Sequence, residues 1–193
     1  MSTYLCEGAR RPRAAGKQLL LALALGFLLH AWPVNAAFLS AELRVNGLTC
    51  PFCAFGIEKK LLDVDGVRDV EVFLDEGRIT LSFRTDSEAT VDDLEKAVRK
   101  AGFELAGLRL AVEGELLQEA GVRFIAHPAM TFRLLEAHAG TPGPVSAETL
   151  RRLREDQLLG QQPLVIEGAV EARSAVEPTL ILDGSGSAER REK

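Results

Sequence analysis

Asn46-Gly47-Leu48-Thr49-Cys50-Pro51-Phe52-Cys53 stands where an alternating pattern of apolar residues gives way to a helical one. Upstream, Leu39, Ala41, Leu43 and Val45 take every second position, the period of a strand with one buried face. Gly47 and Thr49 break that pattern. Downstream, from about Pro51, Ala54, Ile57 and Leu61 recur at helical spacing until Asp65-Gly66 ends the segment. Two thiols two residues apart at such a junction leave two chemistries open. They can hold a soft metal ion, or make and break a disulfide.

Working outward, Val70, Val72 and Leu74 alternate, Asp75-Glu76-Gly77 signals a turn, and Ile79, Leu81 and Phe83 alternate again. Residues 67–84 therefore predict a hairpin. Thr90, with Asp93 three residues on, resembles a capping box. Val91, Leu94, Val98 and Ala101 then share one face of a second helix. Gly102 ends it, and Phe103-Glu104-Leu105-Ala106 predicts a short fourth strand. The order β-α-β-β-α-β predicts an α+β, ferredoxin-like unit: an antiparallel sheet with two helices on one face.

With these elements in place, residues 38–106 resemble the heavy-metal-associated domain of periplasmic mercury-binding proteins, copper chaperones and metal-pumping ATPases. The resemblance rests on Gly47-Leu48-Thr49-Cys50-Pro51-Phe52-Cys53, against a family pattern Gly-Met-Thr-Cys-x-x-Cys, and on Gly66-Val67 followed by Val70 and Val72. Leu48 replaces a methionine that packs in the family. Phe103 stands where bacterial copper proteins often carry tyrosine. The resemblance implies a protein that is not an enzyme and passes metal by ligand exchange. Copper is the commonest cargo of such domains and mercury the next.

The thiols themselves point the same way. Free N–H groups at a helix start favour thiolate over thiol. Two thiolates converging on one exposed point suit a soft ion of low coordination number, Cu(I) or Hg(II), and can also accept Zn(II) or Cd(II). A structural zinc site needs four protein ligands, and no second cysteine pair exists to complete one. Cys50 and Cys53 are the expected metal ligands. The competing expectation is a thiol–disulfide oxidoreductase, since Cys-Pro-Phe-Cys also resembles a thioredoxin-like active site. Against it, no tryptophan precedes Cys50, and a hairpin pattern follows Gly66 in place of a long helix and parallel strands. Phe52 and Phe103 are expected to rim the pair, Phe55 to belong to the core, and Lys59 and Lys60 to lie on a solvated helix face. His127, Met130 and His138 are weak candidates for further copper ligands. No Ser/His/Asp set, paired-carboxylate motif or phosphate loop stands out.

The 193-residue chain opens on a different kind of segment. Arg10, Arg11, Arg13 and Lys17 precede an uncharged apolar run, Leu19 to Leu29, and Val34-Asn35-Ala36 offers small residues at cleavage positions. Residues 1–36 predict a secretory signal peptide, and hence a periplasmic or secreted protein, membrane-anchored if the signal is retained. The leader carries four basic residues and Glu7, so its removal takes the net charge from −5 to −8. A chain this acidic is a poor nucleic-acid partner. Cys6 leaves with the leader. The expected partners are the metal ion and either a membrane metal transporter or another metal-binding protein; the oligomeric state is left open.

Residues 107–183 predict a second, mostly-β unit. Leu108, Leu110 and Val112 alternate; Val122–Ile125 and Met130–Leu135 are strand-like; Gly140–Pro144 reads as a loop. Ser146 is placed to cap a helix to about Leu159 with Leu150 and Leu153 inside, and 164–170 and 179–182 predict two more strands. Three strands, a helix and two strands is the order of an OB-like barrel. Leu110-Ala111-Val112-Glu113-Gly114 echoes Leu164-Val165-Ile166-Glu167-Gly168, each glycine marking the bend a small barrel needs. A docking or positioning role is expected for this unit. Residues 184–193 predict a disordered tail.

Overall fold

Alternating apolar side chains set the strands, and capping side chains set where the helices start. The computed structural model describes residues 38–118, 121–126, 130–159, 164–171, 173 and 177–183. The predicted leader, His127 and the predicted tail lie outside these residues. The first half of the chain forms β1 (Phe38–Asn46), α1 (Pro51–Leu62), β2 (Val67–Phe73), β3 (Arg78–Phe83), α2 (Val91–Lys100) and β4 (Glu104–Gln118). Its strands lie in the order β2-β3-β1-β4, every pairing antiparallel, which is the ferredoxin-like arrangement. The two helices pack on each other, α1 also on β2 and α2 on β4. Leu43, Ile57, Leu61, Ile79, Leu94 and Val98 are fully buried between these layers. Each such side chain is worth about 1.5–3 kcal/mol of burial. α2 begins on a complete capping box: the Asp93 amide donates to Thr90 Oγ1 at 3.3 Å, and the Thr90 amide donates to Asp93 Oδ2 at 3.1 Å.

The fourth strand is not short. It runs 15 residues, from Glu104 to Gln118, through Leu108, Leu110 and Val112. A bulge hides this in the sequence. Arg44 pairs with Gly107 but Val45 with Leu105, so Ala106 is unpaired and the buried positions step from 105 to 108 before alternation resumes. That change of phase reads as a boundary although the strand continues.

The second half adds β5 (Val122–Ala126), β6 (Met130–His138), β7 (Thr141–Gly143), α3 (Ala147–Leu159), β8 (Leu164–Glu171) and β9 (Thr179–Leu182). β7 falls in the stretch expected to be a loop. It pairs with the end of β6, Glu136 opposite Gly143, and extends that strand past Leu135. Strands β4-β5-β6-β9-β8 close back on β4, with β6 and β9 parallel, giving a closed five-stranded barrel. Phe124 and Phe132, opposite each other on β5 and β6, are fully buried inside it.

The two echoed segments turn out to be partners. Leu110 pairs with Gly168, Val112 with Ile166 and Gly114 with Leu164, so the motif is laid antiparallel on its own copy. Each glycine allows a close backbone approach. A Cβ on Gly114 would stand 2.2 Å from the Ile125 carbonyl oxygen, and one on Gly168 would stand 2.4 Å from that of Ile181. β4 thus serves both halves. One edge pairs first with β1 and then with β5, and the other pairs with β8. A second tie comes from Arg173, between β8 and β9. Its Nε lies 2.7 Å from Glu95 Oε1 on α2, and its Nη2 donates to the Leu105 carbonyl at 2.9 Å.

Candidate metal centre

Cys50 is the N-cap of α1, held in extended conformation at φ −122°, ψ 143°. Pro51 follows at the first helical position, where its missing N–H costs nothing and its fixed φ suits the helix. The Cys53 amide, one of the orphan donors of the first turn, donates to Cys50 Sγ at 3.1 Å. The loop leading in is shaped by Gly47, at φ 78°, whose carbonyl accepts from the Thr49 amide at 3.0 Å. The loop is therefore turned by a backbone bond. Leu48 is buried at the base, which fits the packing role expected of it. The two cysteines are half-buried, their Cα atoms 5.2 Å apart, and are joined as a disulfide.

The rim is more aromatic and more exposed than the sequence suggested. Phe52 is 91% exposed between the cysteines, and Phe55, expected in the core, is 70% exposed. The helix geometry explains the difference. Ile57 and Leu61 define the buried face, and Phe55 lies about 200° around the axis from Ile57 at 3.6 residues per turn. Phe55 is instead a neighbour of Phe52 at i+3. Phe103, after α2, is half-buried against the core.

Lys59 and Lys60 are in the last turn of α1, at the end away from the cysteines, and Lys60 pairs with Asp63 at 3.4 Å. Met130 is half-buried against the barrel core. His138 is exposed, with Nε2 3.0 Å from the Pro144 carbonyl oxygen. Both residues belong to β6, away from the α1 loop. Among the described residues no group of three or more His, Cys, Asp or Glu side chains is placed to hold a metal ion. The arrangement offers two sulfurs on a helix N-terminus: reduced, a two-thiolate clip; oxidised, a closed disulfide.

Fold and site together define an α+β domain that presents a Cys-x-x-Cys pair from a β1–α1 loop. Residues 42–104 match the family model of the heavy-metal-associated domain. The chain is 37% identical over 87 residues to the mercuric transport protein periplasmic component of Pseudomonas fluorescens, covering 45% of this chain and 92% of that protein. It is 33% identical over 64 residues to the copper chaperone CopZ of Bacillus subtilis, covering 33% and 91%. It is also 34% identical over 95 residues to the copper-exporting P-type ATPase of Bacillus subtilis, where 49% of this chain spans 11% of the ATPase. The chain belongs to the heavy-metal-associated domain family.

Proposed function

We propose that this protein is an exported soft-metal carrier that binds a thiophilic ion between Cys50 and Cys53 and hands it on by ligand exchange. Cu(I) is the favoured cargo and Hg(II) the next; Zn(II) and Cd(II) are also accepted by such a pair. The observation that carries this reading is the convergence of the two sulfurs on the N-terminus of α1, with the Cys53 amide donating to Cys50 Sγ. Copper and mercury in the names of its relatives support it. The binding form is the reduced dithiolate, so the disulfide must be opened by two electrons before metal is loaded. With two protein ligands on an exposed loop, an incoming thiolate can reach the ion and displace one sulfur at a time. The receiving partner is a membrane metal transporter or another metal-binding protein. The protein acts in the periplasm or outside the cell, or on the membrane if the leader is retained. No described helix is long and apolar enough to cross a membrane.

In the same reading, residues 37–106 form the metal-binding unit and 107–183 an OB-like barrel. The strand order and the parallel β6–β9 closure support the OB-like assignment. A second function, thiol–disulfide oxidoreductase, is favoured by the disulfide at a helix N-terminus.

The test is anaerobic. The reduced protein competes for Cu(I) with a chromogenic chelator, and the measurement is repeated with Cys50→Ser. The expected result is one-to-one binding that the substitution abolishes. Failure to compete, together with insulin-reductase activity, would establish the oxidoreductase reading instead.

A further inference from the structure

The outer side of α1 carries a second apolar stripe that the fold does not use. Phe52, Phe55, Lys59 and Leu62 are spaced by 3, 4 and 3 residues, the a/d spacing of a seam between two helices. At about 100° per residue they share one side of the helix, opposite Ile57 and Leu61. Phe52 is 91% exposed, Phe55 70% and Leu62 46%, and Lys59 is exposed as well. The other exposed large apolar side chains among the described residues are Ile125, Leu158 and Leu159, so half of them are gathered on this one helix. Gly56 is exposed beside the stripe. A Cβ there would meet nothing within 4 Å, so nothing inside the molecule calls for glycine, although glycine weakens a helix. It leaves bare backbone next to the two phenylalanines. The charge of the face is balanced. Pro51 to Ile57 carries none, and after it Glu58 and Asp63 offset Lys59 and Lys60, with Lys60 paired to Asp63 at 3.4 Å.

We infer that this face of α1 is the interface of a homodimer, in which α1 lies antiparallel on α1 of a second copy with no metal between them. Three observations single out a second copy. First, the stripe is its own complement when reversed. With a two-fold axis level with Ile57, Phe52 meets Leu62 of the second copy and Phe55 meets its Lys59. Each ammonium group then faces a phenylalanine ring, an attractive pairing, whereas parallel helices would set Lys59 against Lys59. Glu58 flanks the seam level with Gly56 of the second copy and within one turn of its Lys59. Second, the chain as a whole carries −5, so two copies repel one another, and that repulsion is weakest where a face is neutral. Third, the area fits a reversible dimer. Phe52, Phe55, Leu62 and the Lys59 stem offer about 450 Å² per copy, or about 900 Å² for the pair, the size of a weak complex and below that of an obligate one. A lipid surface is disfavoured, because residues 37–106 carry 14 acidic against 9 basic side chains, and an anionic bilayer would repel them.

The readout is weight-average mass by sedimentation equilibrium, from about 5 to about 500 µM protein. The sample is the full chain in its exported form, with chelator present and the Cys50–Cys53 disulfide closed. No bridging metal can then join the copies, and a non-reducing gel excludes an intermolecular disulfide. The expected result is a mass that rises with concentration towards twice the monomer and not beyond. Association should weaken at least tenfold in the double variant Phe52→Ser, Phe55→Ser. It should weaken at least threefold in Lys59→Glu, which turns an attractive contact with Phe55 into a carboxylate beside Glu58, and in Gly56→Gln, which adds bulk without charge. Circular dichroism confirms that each variant is folded. Should the double variant not fold, Lys59→Glu and Gly56→Gln, both at exposed positions, keep the test. A monomer at every concentration overturns the inference, as does mass beyond the dimer. Association that survives the phenylalanine variant but is lost in Leu158→Ser, Leu159→Ser also overturns it, assigning the contact to α3. Stronger association in Gly56→Gln overturns the helix-on-helix seam. Phenylalanine-dependent binding to phosphatidylcholine vesicles by a chain that stays monomeric assigns the face to lipid instead. Every readout is free of metal, so it stands or falls apart from the metal reading.

Discussion

Glu136→Gln isolates a buried carboxylate that the sequence pattern conceals. Glu136 lies on β6, 7% exposed, on the inward side that also carries Phe132 and Leu134. Its Oε2 accepts the Ser146 amide at 2.7 Å and its Oε1 accepts the Thr149 hydroxyl at 2.8 Å. These bonds tie β6 to the start of α3, where the Ser146 hydroxyl also caps the Thr149 amide at 3.2 Å. A glutamine keeps one acceptor but turns an NH2 donor towards the other donor. One charge-assisted bond is lost, worth about 1.5–3 kcal/mol. The expected destabilisation is about 2 kcal/mol, a fall in Tm of about 4–8 °C for a chain of this size. The Ser146 amide, and after it the Thr149 hydroxyl, hold the Glu136 carboxyl below its usual 4.5, against the opposing effect of burial. A depressed folded pKa contributes stability that is present above the unfolded value and is lost as pH falls through the folded one. The gap between wild type and variant should therefore be constant above about pH 5.5 and shrink below 4.5. Urea melts from pH 3 to 7 measure it. A gap under about 0.5 kcal/mol at pH 7, or one that widens on acidification, would refute the reasoning.

Gly114→Ala places a methyl 2.2 Å from the Ile125 carbonyl oxygen and 2.9 Å from Phe124 Cε1. β4 and β5 must part, and urea denaturation is expected to show a loss of about 1–3 kcal/mol or more. Arg173→Leu leaves Glu95 and the Leu105 carbonyl without their bonds to the barrel side. We expect a loss of about 2 kcal/mol in urea melts, only partly recovered when Glu95→Gln is added, because Glu95 still has Arg99 at 4.0 Å and the Leu105 carbonyl stays without its Arg173 donor.

Much of the ferredoxin-like half was legible in the sequence. Ala41, Leu43 and Val45 on β1 and Ile79, Leu81 and Phe83 on β3 alternate as expected, Thr90 and Asp93 announce α2, and Gly66 and Gly77 mark turns, while a register shift between Phe38 and Ser40 buries Phe38 in place of Leu39. Ser146 as a cap and Leu153 as a buried helix residue were also readable in advance. What could not be read depends on contacts between distant segments. The bulge at Ala106 shifts the phase of β4, so one long strand looks like two. Thr141-Pro142-Gly143 has turn composition and becomes a strand only because the end of β6 is beside it. Glu136 reads as a surface residue until Ser146 and Thr149 are brought to it from 10 and 13 residues away. At the candidate site, spacing and junction placed Cys50 and Cys53 together at the start of a helix, where the structure has them. The exposure of Phe55 follows from its angle to Ile57 and Leu61 on α1, which its hydrophobicity masks.

The double duty of β4 determines where this chain can be divided. β1 pairs along residues 104–112 of β4, so a cut after residue 106 strips Phe38 to Arg44 of their β4 partners, leaves β1 held by β3 alone and bares its other edge. A cut after Glu113 spares every β1 pairing but bares the edge that β8 protects over 109–114, an invitation to strand exchange between molecules. The barrel therefore cannot be treated as a removable tag, and a graft of the ferredoxin-like half into another protein should carry β4 through residue 113 with a replacement for β8.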